Sequence, residues 1–159
     1  MQRRGRTVST FSVTADLSGL RKRMNTMVVQ CGEAARPAAQ AGAQVFYDRV
    51  RELVPTSLKG HWFHGTSFKK FGTKYWFDAG NLKASIYQVY SKDNSGKNLA
   101  TYHIAWNHKE APYGFMVEFG TSKSPAHPFL RPARAQADVV RQAVYDRYMA
   151  ELKERGVLK

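Results

Sequence analysis

The chain has 159 residues, a single cysteine and a formal net charge of +13. That length suits one domain, residues 1–159, able to bury roughly two-thirds of its unfolded surface, and the lone Cys31 excludes an internal disulfide scaffold. No apolar run approaches the ~20 residues of a membrane span, and the charge favours nucleic acid, an anionic membrane surface or an acidic protein face; of these, a membrane partner is not expected.

The start, MQRRGRTVST, carries Arg3, Arg4 and Arg6 in a basic tip over residues 1–8. It lacks the apolar core of a signal peptide. With one cysteine, this predicts a protein made and used without export. Residues 9–15 (STFSVTA) alternate, with Phe11 and Val13 on one face, which predicts a short strand. Asp16 or Ser18 can then cap a helix. From Leu17 the apolar positions Leu20, Met24, Val28, Cys31, Ala35, Ala38, Val45 and Leu53 mostly step by three or four, as in an amphipathic helix. Pro37 should kink or divide that helix, because it lacks an N–H and its ring clashes with the preceding turn. Pro55 ends it.

Residues 56–78 form a basic, aromatic insertion. Glycines recur between Trp62, Phe63, Phe68, Phe71, Tyr75, Trp76 and Phe77. Lys59, Lys69, Lys70 and Lys74 lie in a span with no acid between Glu52 and Asp78. A structured loop with a hairpin at 61–77 is expected. Such aromatic density is rarely left in water, so it packs on its own domain or meets a partner. Residues 84–91 (ASIYQVYS) and 99–107 (LATYHIAWN) read as strands joined by the polar KDNSGKN. The stretch 119–131 is a proline-containing loop. Pro132 suits a first helical residue, and a C-terminal helix over 132–155 stops at Gly156. The fold class expected is α+β: a small antiparallel sheet packed against a long N-terminal helix and a C-terminal one.

Signals for chemistry are weak. Cys31 lies on the apolar stripe of the first helix, where cysteine usually acts as a small hydrophobe. His61 and His64, with His103, His108 or His127, sit on no helix and are joined by no second cysteine or tight carboxylate cluster. Phosphate-cradling glycine motifs and nucleophile elbows are absent. The expectation is no catalytic residues, no metal and no cofactor. Interleaved lysines and aromatics at 59–77 could instead bind nucleic acid by stacking bases and neutralising phosphates, although packed aromatics with snorkelling lysines explain the same letters.

Residues 111–133 carry the most specific pattern. The run Ala111-Pro-Tyr-Gly-Phe-Met-Val-Glu-Phe-Gly-Thr121, then Pro125, then Pro128-Phe-Leu-Arg-Pro-Ala133 resembles the small neck or tail-completion proteins of long-tailed bacteriophages, often labelled minor tail components. Pro55 and Gly80-Asn-Leu-Lys-Ala-Ser-Ile86 match a second element, with Ala79 where the family has threonine. The likeness spans residues 15–155.

That resemblance implies a structural virion protein without catalytic residues, made in the host bacterial cytoplasm and placed at the head–tail junction. It implies a homo-oligomeric ring, of six subunits to match tail symmetry, between head-completion proteins and the tail-terminator or tail-tube proteins. Trp62, Phe63, Phe68, Phe71, Tyr75, Trp76, Phe119, Phe129 and Leu130 are then the interface candidates, because interfaces concentrate aromatics. Arg3, Arg4, Arg6, Lys59, Lys69, Lys70 and Lys74 are candidates to line a channel with transient, nonspecific contact to packaged DNA. The alternative is a nucleic-acid-binding protein using 59–77. Within the signature, Tyr113, Phe115, Val117 and Phe119 are expected to close the core. Glu118, among apolar neighbours, needs a structural ion pair with Arg131 or Arg134.

Overall fold

The computed structural model describes residues 12–64 and 66–158. Its frame is a pair of antiparallel helices with two small hairpins beside them, an α+β arrangement. The first helix, α1 (Ser18–Leu53), has 36 residues and is about 54 Å long. The Ser18 N–H donates to the Asp16 carboxylate at 2.9 Å, which supplies one orphan donor of the first turn with an acceptor and lowers the Asp16 pKa. Residues 12–15 form no strand. Residues 9–11 of that expected strand lie outside the described residues, as do Arg3, Arg4 and Arg6.

Pro37 does not divide α1. Proline removes one backbone donor, but buried Ala34 and Ala38 flank it on the side that faces the last helix, α6 (Ala137–Glu154). That packing outweighs one lost bond. The Tyr148 hydroxyl reaches the Cys31 carbonyl at 3.4 Å, and Arg155 pairs with Glu33 at 2.6 Å. The end of α6 therefore lies beside the middle of α1. Gly42 packs directly against α6: a Cβ there would be 2.3 Å from Val144 Cγ2. The stop at Gly156 is as expected. Its φ of 69° suits glycine, and the Val157 N–H closes on the Leu152 carbonyl at 2.9 Å.

Between these helices the chain forms β1 (His61–Phe63), α2 (Thr66–Phe71), β2 (Tyr75–Phe77), α3 (Asn81–Ala84), β3 (Ile86–Tyr90), β4 (Tyr102–Trp106), α4 (Gly114–Phe119) and α5 (Leu130–Ala133). The hairpin at 61–77 is borne out, with Trp62 opposite Trp76. It also holds the short α2 at its tip. β3 and β4 pair antiparallel, Ile86 opposite Trp106, and do not join β1–β2. The expected sheet over 84–107 is the β3–β4 pair, and the 61–77 hairpin is a separate two-stranded sheet. The expected helix at 132–155 is interrupted. α5 passes through a 3-10 turn at Arg134–Gln136 before α6 begins.

The core gathers Val50 and Val54 from the end of α1, Leu82, Ile86 and Ala111, and Phe129 and Ala133 from the α5 region. Tyr113, Val117, Leu130 and Trp106 pack around it. Because α1 is twice as long as α6, its first three turns extend past this packing. Leu17, Leu20, Met24, Met27 and Val28 continue the apolar stripe there and are exposed.

Candidate functional site

The signature at 111–133 folds as a short helix, a loop and a second short helix. A tight turn after β4, closed by the Ala111 N–H on the Asn107 carbonyl at 2.8 Å, delivers the chain into α4. Gly114 then passes beneath the Trp106 ring, where a Cβ would lie 2.5 Å from Nε1. Only glycine permits that approach. α4 ends at Gly120, whose φ of 77° and ψ of 177° suit glycine alone. A Cβ there would also fall 2.8 Å from the Ala126 backbone nitrogen.

Glu118 is the centre of the site. It is 1% exposed. Its Oε2 accepts from the backbone N–H groups of Phe129 at 2.7 Å and Leu130 at 3.0 Å. Its Oε1 accepts from the Arg131 backbone N–H at 3.1 Å and from Arg131 Nε at 3.2 Å. The Arg131 guanidinium also donates to the Glu118 carbonyl at 2.7 Å. Burial pushes the Glu118 pKa up. The three backbone donors and the guanidinium outweigh that and hold it below its ordinary value of 4.5. The carboxylate thus serves the free N–H groups at the start of α5 as a capping side chain would, from eleven to thirteen residues away.

The expected ion pair is therefore present with Arg131. Arg134 makes no bond to Glu118 and stands instead at the rim of an adjacent groove. That groove encloses about 340 Å³ between Phe46, Ile104, Trp106, Phe119, Arg131 and Arg134. The Arg131 guanidinium lies 4.9 Å from the Phe119 ring centre, so one arginine holds both the buried acid and an exposed aromatic.

Two expectations for this segment fail. Phe115 and Phe119 do not close the core. They are 60% and 51% exposed and pack on each other with centroids 4.6 Å apart. Alternating residues share a face in a strand, whereas α4 is a helix and turns them outward, leaving Tyr113 and Val117 to pack inward. Phe129 fails as an interface candidate, because it is completely buried with its ring edge-on to Trp106. Leu130 is half-buried against the same core.

The aromatic hairpin has two faces. His61, Phe63 and Phe77 turn inward, with ring centroids 5.0–6.0 Å from that of Tyr113. Phe63 is thus part of an intramolecular cluster. Trp62 and Trp76 turn outward, edge to face at 5.3 Å. They are 56% and 51% exposed. Phe68, Phe71 and Tyr75 are exposed as well, as are Lys59, Lys69, Lys70 and Lys74. His64 packs on Phe68 at 4.7 Å. Among the described residues, no three His, Cys, Asp or Glu side chains converge as metal ligands, and no helix is long and apolar enough to cross a membrane.

Sequence reasoning missed Asn81, whose side-chain amide bridges the Glu110 carbonyl at 2.8 Å and the Tyr113 hydroxyl at 3.3 Å. It also missed the overhang of α1. The signal for the overhang was length, since a helix of eighteen residues cannot cover one of thirty-six. No family model, curated protein or solved structure matches the chain.

Proposed function

We propose that the protein is a structural subunit of the head–tail junction of a long-tailed bacteriophage. It would form a ring that joins head-completion proteins to the tail and surrounds the DNA channel, with no chemistry of its own. The observation that carries this reading is the Glu118 clamp. It ties the two halves of the signature, Glu-Phe-Gly-Thr at 118–121 and Phe-Leu-Arg-Pro-Ala at 129–133, into one unit. The residues that make up the resemblance are thus the residues that hold the segment in shape.

A ring subunit needs two different complementary faces, because head-to-tail contacts close by rotation. The chain offers two separate apolar exposures of that kind. One is the α1 overhang at Leu17, Leu20, Met24 and Met27; the other is α4 at Phe115 and Phe119. Same-on-same pairing of overhangs is disfavoured, since Arg21, Lys22 and Arg23 would face their own copies. Electron microscopy of the purified protein and of virions tests the reading. Rings, or density for this chain at the neck, support it. A persistent monomer absent from the virion overturns it.

A further inference from the structure

We propose that the outward face of the β1–β2 hairpin binds single-stranded nucleic acid, by stacking unpaired bases on Trp62 and Trp76. This stands independently of the neck reading. Three observations carry it. First, the two rings pair across the hairpin on the side away from the core. The hairpin's inward residues make the contacts to Tyr113, while Trp62 and Trp76 present more than half of their surface to solvent. Second, the segment that carries them is basic: Lys59, Lys69, Lys70 and Lys74 are all exposed, no acid lies between Glu52 and Asp78, and Asp78 accepts from Trp76 Nε1 at 2.9 Å. That bond also fixes the Trp76 ring. The ring lies over Gly60, where a Cβ would be 2.3 Å from its Cζ2, so the platform is set before any ligand arrives.

Third, the combination selects a ligand class. Lysines alone serve any phosphate backbone, but exposed indole faces gain nothing from a duplex whose bases are already stacked. They gain from unpaired bases, each of which has an open π-face. An apolar protein partner would suit the rings but not a segment with four exposed lysines, because lysine is depleted at interface cores.

The test uses the full chain and an oligo(dT) of about 16 nucleotides, the upper end of the site size for such grooves. Tryptophan emission should quench on titration, and log K should fall with log[salt] with a slope of about −3 if all four lysines contact phosphates. Trp62→Ala and Trp76→Ala should each weaken binding about 5- to 150-fold, whereas Trp62→Phe should retain most of it. Circular dichroism of each variant confirms the fold, which these exposed rings should not disturb. Equal or tighter binding to a duplex of the same length overturns the proposal. So does alanine substitution that leaves oligo(dT) affinity unchanged but alters oligomer size, which would make this face a protein interface.

Discussion

Replacing Glu118 by glutamine changes one atom and reverses the logic of the clamp. The carboxylate offers two oxygens to four donors: the backbone N–H groups of Phe129, Leu130 and Arg131, and Arg131 Nε. An amide offers one oxygen, and its NH₂ must point at a donor pair. Two donors lose their acceptor whichever way the amide is turned. At ~1–3 kcal/mol for each unsatisfied buried group, the range is about 2–6 kcal/mol. The expected cost is the middle of that range, about 4 kcal/mol. Against a total of ~5–15 kcal/mol, that is a large share. With an m-value of ~2 kcal/mol/M, the urea midpoint should fall by about 2 M.

The pH dependence gives a second reading of the same variant. Because the folded Glu118 pKa lies below 4.5, its contribution is complete at neutral pH and is lost as the pH falls through the folded value. The stability gap between the wild type and Glu118→Gln should therefore be full at pH 7 and narrow below about pH 4.5. A midpoint shift under about 0.3 M at pH 7, where the m-value scale makes it less than about 1 kcal/mol, would refute the clamp. A gap that widens in acid would refute its ionic character.

Four further outcomes follow from the packing. Phe129→Ala should cost about 3–5 kcal/mol in urea unfolding, because the ring is fully buried against Trp106; a cost below about 1 kcal/mol would restore it to the surface. Gly120→Ala should lower stability by ~2 kcal/mol or more, since its backbone conformation excludes a side chain, and an unchanged melting temperature would contradict that geometry. Gly42→Leu should cost about 3 kcal/mol by forcing α1 and α6 apart, with partial recovery on adding Val144→Ala; additive losses would place the contact elsewhere. Leu20→Glu with Met24→Glu should leave the monomer's stability within about 0.5 kcal/mol, as both sites are exposed, while sedimentation shows loss of any ring. Rings that persist would free the overhang from subunit contact.

Periodicity made α1 and its end at Pro55 legible, because a stripe with steps of three and four has one regular solution. The aromatic hairpin was legible from glycines flanking strand-like triplets. The Glu118 ion pair could be expected on chemical grounds alone, since a carboxylate among Phe115, Val117 and Phe119 must find a donor. What stayed hidden was which donors. The backbone groups of Phe129, Leu130 and Arg131 become available only because α5 starts there, a tertiary fact. Phe115 and Phe119 were expected in the core because six residues of helix and six of strand differ little in composition, yet place alternate side chains oppositely; the burial of Phe129 against Trp106 is again a tertiary fact. The β3–β4 pair was legible from two β-branched, aromatic runs joined by a polar turn, IYQVY and YHIAW.

The unequal lengths of α1 and α6 have a kinetic consequence. A single hydrogen-bonded rod runs from Ser18 to Leu53, but only its second part is held by neighbours. Short unsupported helices are marginal in water, so the amide protons of residues 20–29 should trade with solvent far sooner than those near Ala38 and Val50. The boundary between the fast and slow amides should sit near Cys31, beside the hydroxyl of Tyr148. When a partner covers the overhang, that boundary moves toward Ser18. The position of the step along one helix then measures occupancy of the overhang without any label on the protein.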